Sequence, residues 1–426
     1  MQMRRSLAVS IGFKIGILLL CASLLYGQRL MGADYFNPTL SVEAMRQAVQ
    51  AAENVDAFNQ FGYTGLMVAA SDGRLPLAKA LVKNGAHLNM KSVAGQYQGI
   101  ANKTVGLTAL HCATNNLRID GSKQVGYYLI SVFADVRLAD GQGNTPLHLV
   151  VSTDVIDDRT AMAEALIKNG ADINAQNEQG DTLFHLAVNL DAQSWIQDLA
   201  KKFGPLINDD IKNKKGLTPY DYAKQLGFGD TANIIKALKV VMPKAEEYNP
   251  VGLTGLMLAV MKGDQSLVDT MAVSKALNMK SRDQYKNSAL HIALPFGNLA
   301  AVKTLVDKGA LLGNKNADGD IPLQFVPRIG NASQRIQAAQ LLLKKAPNTL
   351  LSQNNDGENF IHTIVRLDDQ ELLADVIKEY RALAQKAALV KNKKLQSPLQ
   401  LATQMRRKEI VNQLQGLRSD VVSIKK

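Results

Sequence analysis

A single pattern recurs ten times after residue 57, at intervals of 33 to 44 residues. Such an array folds as stacked units, because each unit can bury its apolar face only against its neighbours. Glycine stands two residues before a shared anchor position in eight copies, and Asn or Asp stands five residues before it in nine. The anchors are Thr64, Thr108, Thr145, Thr182, Thr218, Thr254, Ser288, Ile321, Asn359 and Ser397.

Each recurring position has a mechanical role. Asn or Asp followed by glycine permits a tight turn, since glycine tolerates a positive φ and Asx side chains bond their own backbone. The Thr or Ser anchor then caps a helix, with proline next to it in several copies, as at Pro146 and Pro219. A second helix follows, as at 77–82 and 163–167, and each of these two ends before an Asn-Gly-Ala sequence. The pattern predicts that each repeat consists of a turn, a first helix, a second turn and a second helix.

The sequences Gly143-Asn144-Thr145-Pro146-Leu147-His148-Leu149 and Asn169-Gly170-Ala171-Asp172-Ile173-Asn174 resemble the ankyrin repeat. The resemblance covers roughly residues 58–416 and is specific because ten copies agree in register, although those at Ile321 and Asn359 are degenerate. It implies an all-α solenoid of about ten helix-turn-helix repeats. It also implies a role in protein–protein binding, without naming the partner.

The array is itself duplicated. Residues 62–67 recur at 252–257, and residues 88–92 recur at 277–281. We therefore expect repeats 1–5 at 58–248 and repeats 6–10 at 249–416, preceded by a capping helix within 34–57 whose first turn Ser41 caps, and followed by a basic tail at 417–426. A bend near 240–249 is plausible, but the regular spacing of 36 residues across it argues for continuous stacking.

The N-terminus reads as an export signal. Arg4, Arg5 and Lys14 precede an apolar run of eleven residues, Ile15–Leu25. We expect residues 1–33 to be a signal peptide, and the protein to be secreted or periplasmic and of bacterial origin. The alternative is an uncleaved anchor: if Lys14 snorkels, residues 7–25 can just cross a bilayer and tether a scaffold to the inner membrane.

The net charge of +11 is concentrated at the two ends of the chain. Residues 1–33 hold four basic and no acidic groups, and residues 381–426 hold eleven basic and two acidic groups, so residues 34–380 carry 34 basic and 36 acidic groups. Nucleic-acid binding requires positive charge on the folded body. We therefore expect no nucleic-acid partner.

Structural roles within the repeat explain the candidate catalytic and metal-binding residues better than chemistry does. Five of the six histidines fall three residues after an anchor, where the resemblance implies a bridge between the capping hydroxyl and the next repeat: His111, His148, His185, His291 and His362. The sixth, His87, stands alone and is expected to be solvated. Cys112 packs as a small apolar residue, and Cys21 lies in the N-terminal run, so no disulfide framework forms. We expect no metal, no cofactor and no enzymatic activity.

Apolar residues at the hairpin tips and on the exposed side of the first helices are the candidate partner-binding site. A solenoid has little structural need for them there, and apolar anchors among polar residues are typical of a binding hot spot. Ala94–Lys103, an insertion in the chain, can alternatively cover the first of them. The candidates are Phe61, Tyr63, Leu107, Leu217, Pro250, Val251, Leu253, Tyr285 and Phe296.

A basic C-terminal patch is the second candidate surface. It is either the solvated face of a capping helix or a contact with an anionic membrane. Its residues are Lys391, Lys393, Lys394, Arg406, Arg407 and Lys408, followed by Lys425 and Lys426 at the end of the chain. The sequence as a whole predicts an exported, non-enzymatic protein that binds other proteins through its concave face, with oligomeric state open.

Overall fold

The computed structural model describes residues 41–52, 54–94, 96–97, 100–101, 105–152, 156–237, 242–281 and 284–423. These residues form two compact units. Unit 1 comprises the described residues up to Ala134 together with Leu138–Ala163, and unit 2 comprises Asp135–Arg137 together with Glu164 onward. The boundary between the units falls inside the third repeat and not at residue 248, where the sequence duplication begins again.

Unit 1 is built from short helix pairs. The first helix is the expected capping helix: Ser41 accepts a hydrogen bond from the backbone N–H of Ala44, and the helix packs on the second helix of the first repeat. The insertion at 94–103 contains a short antiparallel ribbon. The elements are α1 Val42–Ala51, α2 Gly65–Ser71, α3 Leu75–Lys83, β1 Gln96–Tyr97, β2 Ile100–Ala101, α4 Ala109–Asn115, α5 Asp120–Ser131, α6 Pro146–Leu149, the 3-10 turn Val150–Ser152, and α7 Ile156–Lys168, which continues into unit 2.

Unit 2 holds two stacks of helix pairs. Its first stack contains α8 Leu183–Asn189, α9 Gln193–Phe203, the 3-10 turn Gly204–Leu206, α10 Pro219–Leu226 and α11 Gly229–Ala237. Its second stack contains α12 Gly255–Lys262, α13 Gln265–Met271, α14 Ser274–Leu277, α15 Ala289–Ala293, α16 Leu299–Asp307, the 3-10 helix Pro322–Arg328, α17 Ala332–Lys345, the 3-10 turn Pro347–Leu351, α18 Phe360–Leu367, α19 Gln370–Glu379, α20 Arg381–Ala387, α21 Pro398–Gln404 and α22 Lys408–Ser423.

The second stack does not continue from the fifth repeat. Its opening helix α12 packs on α13, on α15 and on the 3-10 turn 204–206 of the fourth repeat. The sequence left open whether the stacking continues across 240–249. Regular spacing along the chain does not require regular packing in space, because packing depends on contacts between residues far apart in sequence.

Polar contacts fasten the second stack to the earlier part of unit 2. Arg137 donates through Nη1 to the carbonyl of Pro295 at 3.1 Å and through Nη2 to that of Arg328 at 2.8 Å. The Arg328 guanidinium donates to Asn169 Oδ1 at 2.5 Å and lies over the Phe325 ring. Burial lowers the pKa of Arg328 to about 10. These contacts hold together residues that are more than 150 positions apart in sequence.

Candidate functional site

Four cap histidines, His111, His185, His291 and His362, each bond to a backbone carbonyl of the following repeat. His111 Nδ1 lies 2.8 Å from Thr108 Oγ1 and accepts the Thr108 backbone N–H at 3.1 Å, while Nε2 lies 2.9 Å from the carbonyl oxygen of Asn144. A carbonyl can only accept, so Nε2 carries the proton and the ring is neutral. Ser288, His291 and the Asp320 carbonyl repeat the arrangement. The structural role expected for these histidines is confirmed.

Burial keeps these rings neutral. Burial lowers the pKa of His111 and of His291 to about 4, and it also lowers the pKa of His362. An imidazole that is neutral, buried and hydrogen-bonded on both nitrogens has no lone pair left to serve as a metal ligand or a general base.

Other side chains perform the same cap in the remaining repeats. Met67 and Met257 accept the anchor N–H through sulfur, at 3.4 and 3.5 Å. Both methionines are buried, so they belong to the core and not to an adaptable surface. Gln324 accepts the N–H of Ile321 at 2.9 Å and donates to the Glu358 carbonyl at 2.9 Å, so a glutamine supplies both of the histidine's bonds.

Two further residues can be placed. Cys112 is buried in α4, as expected for a small apolar side chain. His87 is exposed, as expected, and its Nδ1 lies 2.6 Å from Asp56 Oδ2, a partner that was not predicted. The sequence could not indicate this pair, because the two residues are 31 positions apart and are brought together by the turn that follows α3.

The structure divides the candidate binding residues into two groups. Tyr63, Val251 and Leu253 are buried, with 8%, 9% and 0% of their surface exposed, so they cannot serve as surface anchors. Leu253 and Tyr63 occupy equivalent positions directly before their anchors, where the side chain turns inward. Pro250, which precedes Val251, is exposed. The remaining five candidates are partly exposed: Phe61, Leu107, Leu217, Tyr285 and Phe296.

Val251 is buried because the chain covers its own hairpin. Lys168 Nζ donates to the Val251 carbonyl at 3.3 Å, and Asn249 Nδ2 donates to the Lys202 carbonyl at 2.8 Å. Glu164 offsets the lysine charges, since it pairs with both Lys168 and Lys202. The apolar tip that the sequence assigned to a foreign partner is thus bound by the end of the third repeat and by the fourth repeat of the same unit.

The equivalent hairpin in unit 1 is not covered in this way. Phe58 is 39% exposed and Phe61 is partly exposed. The neighbouring hairpins continue the row, because Val93 N–H donates to the Gly62 carbonyl at 3.0 Å and Gly141 N–H donates to the Val105 carbonyl at 2.7 Å. We call this surface the unit 1 hairpin row, consisting of Phe58, Phe61, Val93, Val105 and Leu107.

Three members of the unit 1 hairpin row were not predicted from the sequence. Val105 stands three residues before its anchor, as Phe61 does, so the repeat register could have found it. Phe58 lies outside the loop-tip positions, and Val93 lies where the insertion begins. Val93 and Val105 are 41% and 40% exposed. The insertion's side chains lie outside the described residues, so its expected role as a cover stays a prediction.

The basic C-terminal patch is smaller than the sequence suggested. Arg407 is 5% exposed, and its guanidinium lies 3.7 Å from Asp368, so it is an interior ion pair. The segment from 417 to 423 continues helix α22 instead of beginning a tail. Lys425 and Lys426 lie outside the described residues. The exposed members are Lys391, Lys393, Lys394, Arg406 and Lys408.

The N-terminal expectations cannot be compared with the fold, because residues 1–40 lie outside the described residues. Within the part of the chain that is described, no helix combines the length and apolarity needed to cross a bilayer. The same residues contain no group of three or more His, Cys, Asp or Glu side chains able to hold a metal ion.

Comparison with known proteins agrees with the repeat architecture. A family model described as ankyrin repeats (many copies) matches residues 49–97, and one described as ankyrin repeats (3 copies) matches residues 92–177 and 227–318. Among curated proteins, no relative matches the sequence. Ankyrin repeats are protein–protein interaction modules that generally act without catalysis. The two models together cover about half of the chain, and the helix pairs, turns and caps agree with them in register, so the chain belongs to the ankyrin-repeat family.

Proposed function

We propose that the unit 1 hairpin row is the docking site for a partner protein. One observation carries the proposal: the same opening hairpin occurs twice in the chain, and the second copy is covered by protein while the first is exposed. An apolar row of this kind on a folded surface is typical of a protein interface.

The polar groups of the two hairpins favour the same conclusion. Asn59 Oδ1 accepts the N–H groups of Phe61 and Tyr63, both at 3.0 Å, as Asn249 Oδ1 accepts that of Leu253. Asn249 Nδ2 donates to the Lys202 carbonyl, whereas Asn59 Nδ2 is buried and has no hydrogen-bond partner among the described residues. A buried unpaired amide costs about 1–3 kcal/mol, so the two hairpins differ in the pairing of this group as well as in exposure.

The covered hairpin packs against the last turn of α9, where the Lys202 carbonyl accepts from Asn249 Nδ2. We expect the partner of the unit 1 hairpin row to cover Phe58 and Phe61 with apolar side chains. No catalytic step is part of this function.

The test is affinity capture from the protein's own cells with matched variants. We expect Phe58→Glu combined with Phe61→Glu to lose the partner by at least tenfold, because two charges would be buried in the interface without counterions. Tyr285→Glu, in a partly exposed hairpin of unit 2, is the control and should retain it. Repeating the comparison with the purified partner excludes indirect capture.

Two results would contradict this assignment. Equal recovery by the double variant would remove the unit 1 hairpin row as the site. Loss by Tyr285→Glu alone would place the site in unit 2. Circular dichroism checks that every variant is folded.

We further propose that the protein is exported, on the basis of the basic and apolar segments within residues 1–33. If the signal is cleaved, we expect the mature chain to lack these residues and to be found in the periplasm or medium. An intact N-terminus in the membrane fraction would instead support the tethered scaffold. Intact-mass measurement of the protein from fractionated cells distinguishes the two outcomes.

A further inference from the structure

The tip of the last hairpin carries an unusual leucine. Leu395 stands two residues before its anchor, where eight of the ten repeats have glycine. Its φ is +60°, in the left-handed region that the glycines also occupy. Its side chain is 74% exposed, the largest fraction among the exposed large apolar residues of the described chain.

This leucine does not serve the fold. Glycine adopts a positive φ without the steric cost that a Cβ atom causes, and a leucine that is 74% exposed buries little apolar surface in return. The turn is held by other groups: Asn392 Oδ1 accepts the N–H groups of Lys394 and Gln396, both at 3.0 Å, and the Leu395 N–H donates to the Asn392 carbonyl at 2.8 Å. Backbone strain kept at an exposed position indicates a role outside the fold.

The surroundings of Leu395 are strongly basic. Residues 381–408 contain eight basic and no acidic groups. Lys391, Lys393 and Lys394 lie in the same hairpin and are all exposed. Three acidic residues are near in the chain or in contact: Glu409, which follows Lys408; Asp356, whose carbonyl accepts the Lys393 N–H at 2.8 Å; and the buried Glu358, whose Oε1 accepts from Asn392 Nδ2 at 3.2 Å.

We propose that this last hairpin docks on an anionic lipid bilayer, with Leu395 inserted at the interface and the three lysines against the lipid headgroups. The charge of the hairpin is complementary to an anionic surface, which attracts each nearby basic side chain. Lysines reach headgroup phosphates as flexible point charges, and the protruding leucine adds apolar burial that charge alone cannot supply. This site is separate from the unit 1 hairpin row, and its failure would leave the protein-binding proposal untouched.

The experiment is vesicle co-sedimentation of the protein isolated from its own cells. Vesicles of equal parts phosphatidylglycerol and phosphatidylcholine are compared with vesicles of phosphatidylcholine alone. We expect at least tenfold tighter binding to the anionic vesicles, weakening as salt is added. An N-terminal segment that had not been cleaved would also favour anionic vesicles, because residues 1–33 hold four basic and no acidic groups. The hairpin variants are therefore compared with the unmodified protein on the same vesicles.

Variants distinguish the contribution of leucine insertion to vesicle binding from that of the lysine charges. Leu395→Gly should weaken binding to anionic vesicles at least fivefold while leaving the melting temperature unchanged or higher, since glycine relieves the strain. Lys393→Glu with Lys394→Glu should abolish the preference for anionic vesicles. Leu311→Gly removes another exposed leucine, far from the hairpin in sequence, and should bind as the unmodified protein does.

The proposal is overturned by equal binding to both vesicle types or by no binding to either. It is also overturned if Leu395→Gly binds anionic vesicles as tightly as the unmodified protein. Loss of binding accompanied by a lower melting temperature would assign the effect to misfolding and would likewise contradict the proposal.

Discussion

Lowering the pH from 7 to 5 should destabilise the protein through its cap histidines, by about 2 kcal/mol for each of His111 and His291. Burial lowers the pKa of both residues to about 4, against 6.5 for a free imidazole. Because the unfolded chain takes up the proton first, the stability contributed by the neutral rings is complete above about pH 7. It is lost as the pH falls from about 6.5 to about 4.

Glutamine variants isolate this effect, because the chain already uses Gln324 for both histidine bonds. We expect His111→Gln and His291→Gln to unfold at the denaturant concentration of the unmodified protein at pH 7, and at a higher concentration at pH 5. His111→Ala should instead lose about 2–4 kcal/mol at pH 7, because it leaves a cavity and an unpaired cap.

The Asp320 carboxyl has the opposite effect on the pH dependence of stability. Burial raises its pKa to about 6, so its protonation as the pH falls favours the folded state and offsets part of the loss in unit 2. The difference between the unmodified protein and each glutamine variant is therefore the quantity to measure, and His111 in unit 1 gives the clearer result. An identical pH dependence in His111→Gln would contradict the assignment.

Replacing Val251 with arginine should lower the free energy of unfolding of unit 2 by about 2–4 kcal/mol. The new cation would be buried beside Lys168, whose ammonium group donates to the Val251 carbonyl. Glu164 already pairs with both Lys168 and Lys202, so a third cation beside it would raise the cost of burying charge. Denaturant unfolding followed by circular dichroism measures the loss.

Phe61→Arg is the matched control, since Phe61 occupies the equivalent position in the duplicated hairpin. Its side chain is partly exposed, so we expect a change within about 0.5 kcal/mol. Equal destabilisation by the two variants would mean that the unit 1 hairpin is covered as the unit 2 hairpin is. That result would also remove the basis for docking at the unit 1 hairpin row.

Much of the local structure could be predicted from sequence, because it depends on neighbours within about five residues. The helix starts, the Ser41 cap and the positive φ of glycines such as Gly143 follow from turn and capping chemistry. The histidine caps were also predictable, since their first bond is to the anchor three residues before them. The burial of Cys112 followed from its place in an apolar helix.

Surface assignments were less predictable, because exposure depends on what packs against a residue from elsewhere in the chain. Tyr63 and Phe61 are two residues apart, and one is buried while the other is partly exposed. Arg407 belongs to a basic run but pairs with Asp368, nearly forty positions earlier. His87 likewise pairs with a residue that is distant in the chain, Asp56.

The sequence by itself determined the repeat, its helix pairs and its membership of a protein-binding family, because these depend on short-range patterns copied ten times. Only the tertiary structure decided that the second block packs on Lys168 at the end of the third repeat and on Lys202 and the 3-10 turn at 204–206 of the fourth. Two hairpins at equivalent positions of the duplicated blocks have different surroundings, which depend on residues far away in the chain. That long-range packing buries Val251 and leaves Phe61 partly exposed.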